Sequence, residues 1–179
     1  MFNKPKKKQL FRHVLLAAGL AAAVAILFTP SVEAKEGRSQ LQNFKIKDLN
    51  GKKVELRKLK GKVVLINFWA TWCAPCLQEM PHLDKMYKKY KKKGFVVLSV
   101  ATDGPETASR IRTVVKRKRW SMPIVHDKSG SIVAQLNPRA TNPFTVFIDK
   151  KGQLAHSHEG YSSGDEKGYE KLVKKLLAE

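Results

Sequence analysis

Two nearly unbroken apolar runs, Val63 to Phe68 and Phe95 to Val100, enclose a segment that opens on Cys73-Ala74-Pro75-Cys76 and continues at helical spacing. Short continuous apolar runs suit central strands covered on both faces. Between them Met80, Leu83, Tyr87 and Tyr90 share one helical face, with lysines elsewhere and Gly94 as a C-terminal stop. Strand, helix, strand is a βαβ unit, and it places the two cysteines at the turn from first strand to helix. That unit predicts an α/β fold and leaves the rest of the chain to extend the sheet and cover it.

The remaining pattern agrees. Phe44 and Ile46, then Val54 and Leu56, alternate on either side of Asn50-Gly51, which predicts a β-hairpin over 44–56 with a type I′ turn. Pro105 can begin a second helix with Ala108, Ile111, Val115 and Lys118 on one face. A short strand over 123–125, a short helix over 129–136, strands over 144–148 and 153–158, and a last helix follow. In that helix Tyr169, Leu172, Val173, Leu176 and Leu177 repeat with period 3.6. No repeats or low-complexity linkers interrupt residues 35–179, which read as one domain.

Residues 1–34 read as an export leader. Lys4, Lys6, Lys7, Lys8 and Arg12 precede an uncharged run of 15 residues, Val14 to Phe28, then Pro30 and the small-residue triplet Val32-Glu33-Ala34. The run falls short of the ~20 residues of a spanning helix, which favours cleavage after Ala34 over an uncleaved anchor. Either outcome puts residues 35–179 outside the cytoplasm, at the outer face of the membrane or in a periplasm. That part holds 30 of the 35 Lys and Arg and 14 of the 15 Asp and Glu, a formal +16. Such an excess concerns partners rather than fold. Nucleic acid does not suit an exported domain; an anionic membrane surface or an acidic protein does. The lysine runs at 88–93 and 116–119 are solvated helix faces by default, with docking as the sharper reading.

Only two cysteines occur, in one Cys-x-x-Cys. A disulfide-stapled secreted domain would spread more along its length, and so short a loop removes little chain entropy. The pair reads as reactive. Cys73 at a helix start lies beside unpaired N–H groups that favour its thiolate. That thiolate can open a disulfide, and Cys76, one turn on, can then resolve the mixed disulfide. The chemistry requires no cofactor. A closed zinc site needs four ligands, of which this motif supplies two; His126, His156 and His158 could in principle complete one.

The stretch Val-Val-Leu-Ile-Asn-Phe-Trp-Ala-Thr-Trp-Cys-Ala-Pro-Cys-Leu-Gln-Glu-Met-Pro, within 62–81, resembles the exported thioredoxin-like proteins of the ResA/TlpA type. Asn142-Pro143-Phe144-Thr145-Val146-Phe147-Ile148-Asp149 resembles that family's cis-proline strand. The resemblance implies a thioredoxin-like fold: a central mixed sheet flanked by helices, preceded by the hairpin and carrying an inserted helix-containing segment after the second central strand. It implies an exposed nucleophile at Cys73, a buried resolving thiol at Cys76, and a cis Pro143 beside the disulfide, with adjacent backbone pairing to substrate. Trp72, Ala74, Pro75, Asn142 and Pro143 would bind substrate. The implied activity is disulfide reduction outside the cytoplasm. Its substrates would be proteins, apocytochrome c among them, and a membrane thiol donor would supply the electrons. Asn142 departs from the usual Thr or β-branched residue before the proline.

Glu79 is the expected acid–base group. The position six before Cys73, where thioredoxin keeps a buried aspartate, is Asn67, which cannot titrate. Glu79 lies one turn beyond Cys76 on the same side of the helix, and ResA-type proteins carry a glutamate there. Against this reading stand an oxidase of the DsbA kind and a Sco-like copper chaperone. The chaperone would need three residues between its cysteines, where this chain has two. A non-catalytic docking module is the remaining alternative.

Overall fold

The computed structural model describes residues 38–179, which form one compact unit. Its centre is a five-stranded sheet in the order β5-β4-β3-β6-β7. The strands are β3 (Val63–Trp69), β4 (Phe95–Ala101), β5 (Ile124–His126), β6 (Phe144–Ile148) and β7 (Leu154–Glu159). β3, β4 and β5 run parallel, and β6 pairs antiparallel with both β3 and β7, so the sheet is mixed. A separate two-stranded hairpin, β1 (Lys45–Lys47) with β2 (Lys53–Glu55), precedes it.

All seven residues of β3 are buried, as the apolar run requires of a strand covered on both sides. Alternation then sorts its side chains between two layers. Val63, Leu65 and Trp69 pack with α1 (Ala74–Tyr90), α2 (Ala108–Lys118) and α4 (Asp165–Ala178). Val64, Ile66 and Phe68 face the other way, against Leu56, the hairpin's Ile46 and Val54, and α3 (Ser131–Leu136). Phe68, Trp69 and Phe147 are fully buried, each worth roughly 1.5–3 kcal/mol of apolar transfer. Residues 38–179 thus carry both sheets just described and the two layers that cover the larger one, a unit that closes its own core.

Local details correct the sequence reading at two points. The hairpin does not turn on a type I′ Asn-Gly pair. Lys47 pairs with Lys53, leaving a five-residue connection in which Gly51 N–H bonds to the Asp48 carbonyl and Asn50 keeps a negative φ. The Asp48 carboxylate accepts from the N–H groups of Asn50 and Lys52, at 2.9 and 2.8 Å, and so sets the turn. The tip then caps the open edge of β5 through Leu49 N–H to Ile124 C=O at 2.9 Å. The second helix begins at Ala108, three residues after Pro105, and buries Ile111 and Val114 rather than Val115.

α1 ends in a 3-10 turn over Lys91–Lys93, and Gly94 at φ 87° reverses the chain into β4. Midway along α1, buried Asp84 anchors the loop between α2 and β5. Its carboxylate accepts from Ser121 N–H (2.7 Å), Ser121 Oγ (2.9 Å) and Met122 N–H (3.1 Å), and pairs with Lys88 at 2.6 Å. Burial works to raise its pKa, but Lys88 and the Ser121 and Met122 donors hold it below the ordinary carboxylate value. Asp84→Ala would strand the Met122 N–H in the core. Chemical denaturation should show a loss of about 2–3 kcal/mol, largest near neutral pH and shrinking as acid protonates the wild-type carboxylate.

Candidate active site

Cys73 and Cys76 are joined in a disulfide, with Cα atoms 5.3 Å apart. β3 ends at Trp69, and a turn carries the chain into α1 with Cys73 as its N-cap. Cys73 Sγ accepts the Cys76 N–H at 3.3 Å, and Pro75 sits in the first helical turn, where no N–H is needed. The turn is held from outside: Thr71 N–H and Oγ donate to the Asp103 carboxylate at the end of β4. Cys73 is 5% exposed and Cys76 is not exposed at all, so a partner can reach only the first sulfur. The window is narrower than an exposed nucleophile implies. Around it Trp72, Ala74 and Pro75 lie open to solvent, with Trp72 61% exposed, forming an apolar rim.

The Asn142-Pro143 bond is cis, immediately before β6. Asn142 Nδ2 donates to Thr102 Oγ at 2.9 Å, and Thr102 in turn bonds through its N–H and hydroxyl to the carbonyl of Trp69. The proline segment is thereby tied to the strand that delivers Cys73. Pro143 C=O takes the Gly160 N–H at 2.8 Å, while Asn142 Oδ1 is buried with no hydrogen-bond partner among the described residues.

Glu79 is fully buried. Asn67 Nδ2 donates to one carboxylate oxygen at 2.8 Å and Thr145 Oγ to the other at 3.0 Å. Ser99 Oγ bonds to Asn67 Oδ1 at 2.8 Å. The Tyr169 hydroxyl, which lacks a well-formed hydrogen bond of its own, adjoins the same carboxylate. Burial pushes the Glu79 carboxyl up to about 7, a rise that the Thr145 and Asn67 hydrogen bonds only partly offset. A carboxyl that titrates near neutrality, on the face of α1 that carries Cys76, can give and take protons there.

The row beneath Glu79 is the part of the site that sequence reasoning passed over. Ser99, Asn67 and Thr145 are direct neighbours across β4, β3 and β6. Each is a polar residue inside an apolar strand, and that interruption was the available signal. The histidines weighed as metal ligands make other contacts. His158 lies 3.2 Å from Asp165, and His156 packs against Phe147. Among the described residues no three His, Cys, Asp or Glu are grouped to hold a metal.

Known proteins share this arrangement. The AhpC/TSA family matches residues 38–157. The thiol-disulfide oxidoreductase ResA of Bacillus cereus is 34% identical over 175 residues, covering 96% of this chain and 98% of that protein. Thioredoxin-like protein YneN of Bacillus subtilis is 40% identical over 129 residues, 72% of this chain and 74% of its own. Among solved structures, the pneumococcal exposed lipoprotein thioredoxin of Streptococcus pneumoniae superposes with a TM-score of 0.66 at 29% identity, covering 75% of this chain and all of that one. Likeness over nearly the whole length, on a sheet that presents a Cys-x-x-Cys disulfide at a helix start, places the chain in the AhpC/TSA family as a thioredoxin-fold thiol–disulfide oxidoreductase of the ResA type.

Proposed function

We propose that this oxidoreductase works outside the cytoplasm as a protein disulfide reductase, with residues 1–34 as its export leader and 35–179 as the catalytic domain. Cys73 is the nucleophile: its thiolate attacks a substrate disulfide, one substrate sulfur leaves as a thiol, and a mixed disulfide forms. Cys76, deprotonated by Glu79, then attacks Cys73 Sγ. The second substrate thiol is released and the Cys73–Cys76 disulfide remains. Trp72, Ala74 and Pro75 receive the apolar surroundings of the substrate cysteine, and the backbone at Asn142-Pro143 pairs with its chain. Substrates of the apocytochrome c kind and a membrane thiol donor that re-reduces the pair complete the cycle. The observation that carries the mechanism is the pairing of one narrowly accessible sulfur with a wholly buried one on a helix that also buries Glu79.

Trapping tests it. Cys76→Ser expressed in the host should accumulate exported proteins, cytochrome precursors among them, disulfide-linked to Cys73. The reduction potential tests direction: a value toward that of thioredoxin, about −270 mV, supports a reductase. One near −120 mV would make the protein an oxidant.

A further inference from the structure

The sheet has two ends of different character. At the end holding the disulfide, carboxylates such as Asp103 and Glu159 are interspersed with basic Arg110, Lys128 and Arg139. At the other, three loops meet. Val63 N–H bonds to Gly94 C=O and Gly61 N–H to Lys150 C=O, which joins the approach to β3, the α1–β4 turn and the β6–β7 turn. These loops present Lys60, Lys62, Lys91, Lys92, Lys93 and Lys151, all exposed. None of the six has a carboxylate within ion-pair distance among the described residues. The neighbouring carboxylates, Asp149 and Glu179, are both taken by Arg38 at 2.8 and 3.0 Å.

The path by which the chain joins the domain gives the basic end a direction. Gln40 pairs with Gln153, and Leu154 N–H bonds to Ser39 C=O, so the chain joins the domain at this same end. Nine residues, 29–37, separate the end of the apolar run at Phe28 from Arg38. Fully extended they span no more than roughly 32 Å. The chain therefore enters the domain at the lysine-bearing end, within reach of a membrane-directed segment, and not at the disulfide.

We infer that the lysine-bearing end opposite the disulfide is a docking face for anionic lipid headgroups, seating the domain on the membrane with Trp72 and Cys73 turned away from it. The lysines have no carboxylate partner among the described residues, the loops are contiguous, and the chain enters here nine residues after an apolar run. Lipid is therefore the occupant that the geometry favours over an acidic protein. The orientation would leave the disulfide free to meet exported substrates while the domain stays at the membrane. The inference depends on export only for location and not on redox direction.

The experiment uses residues 35–179, so that no leader contributes, with vesicles of phosphatidylcholine alone or mixed with phosphatidylglycerol. Co-sedimentation should occur with the mixed vesicles and fade at high salt. Each basic side chain near an anionic surface is worth about five-fold in partitioning, so K91E/K92E should lower binding roughly thirty-fold or more. R110E/R112E removes equal charge from exposed positions near the start of α2, toward the disulfide end, and should bind nearly as the unaltered domain does. Alkylation of reduced Cys73 should proceed at the same rate with and without vesicles. Equal binding to neutral vesicles, equal losses in both variants, shielding of Cys73, or no vesicle binding would each overturn the inference. None of these readouts measures catalytic turnover.

Discussion

Cys73→Ser is expected to abolish turnover of a disulfide substrate, by a factor on the order of 10³ or more, with the fold intact. The attacking species is a thiolate, and serine cannot supply its equivalent near neutrality. Nothing else in the chain can take over. The one other thiol, Cys76, lies within the first turn of α1 and has no exposed surface. Cys76→Ser should behave differently. It keeps the accessible sulfur at the helix start and loses only resolution, so a single attack should proceed and then halt as a mixed disulfide. Stopped-flow reduction of a model peptide disulfide, read alongside gel analysis of the trapped species, separates the two. Near-normal turnover by Cys73→Ser, or trapping by it, would reverse the assignment of the sulfurs.

How far such roles could be read in the sequence depended on whether the determinant was local. The β3–Cys-x-x-Cys–α1–β4 unit was legible because each part announces itself over a few residues: apolar runs, helical spacing, a stop at Gly94. The placement of Glu79 followed from spacing along one helix, and the cis Pro143 bond from a family resemblance. The hairpin turn was misread because Asn50-Gly51 is a strong local signal. The Asp48 side chain captures the Asn50 and Lys52 N–H groups and overrides it. Tyr169 read correctly as core spacing, yet its hydroxyl ends beside Glu79. The row Ser99–Asn67–Thr145 was illegible for a deeper reason. Its members are 32 and 78 positions from Asn67 along the chain, and only the strand order and register bring them together. A sequence shows that each is an odd polar residue in a strand; it does not show that they are one odd feature.

That row makes Glu79→Gln the second large effect, in two measurements with opposite signs. For turnover, the variant loses the carboxylate proposed to deprotonate Cys76. The resolving step should slow by about 10²–10⁴. The rise in rate through pH 7 should disappear and be replaced by one at the higher pH where the buried thiol ionises unaided. Because thiols and carboxyl interact, the apparent values in the reduced enzyme belong to the group together. For stability, the carboxyl is raised in the folded state from 4.5 to about 7. Between those values the unfolded chain has released a proton that the folded one retains. Wild-type stability from this group is therefore complete below pH 4.5 and declines until pH passes 7, by about 3 kcal/mol in all. Glutamine does not ionise, so the variant should lack this decline and gain on the wild type as pH rises. Its amide can be housed: Thr145 still donates to the oxygen, and Asn67 can turn its own amide because the Ser99 hydroxyl accepts as well as donates. Thr145→Val in the wild-type background removes one donor to the carboxylate and should move the rate-limb above 7 without erasing it. Thermal unfolding and pH–rate profiles of the three proteins decide the matter. If Glu79→Gln keeps both the limb and the loss of stability between pH 4.5 and 7, the proton near Cys76 belongs to another group.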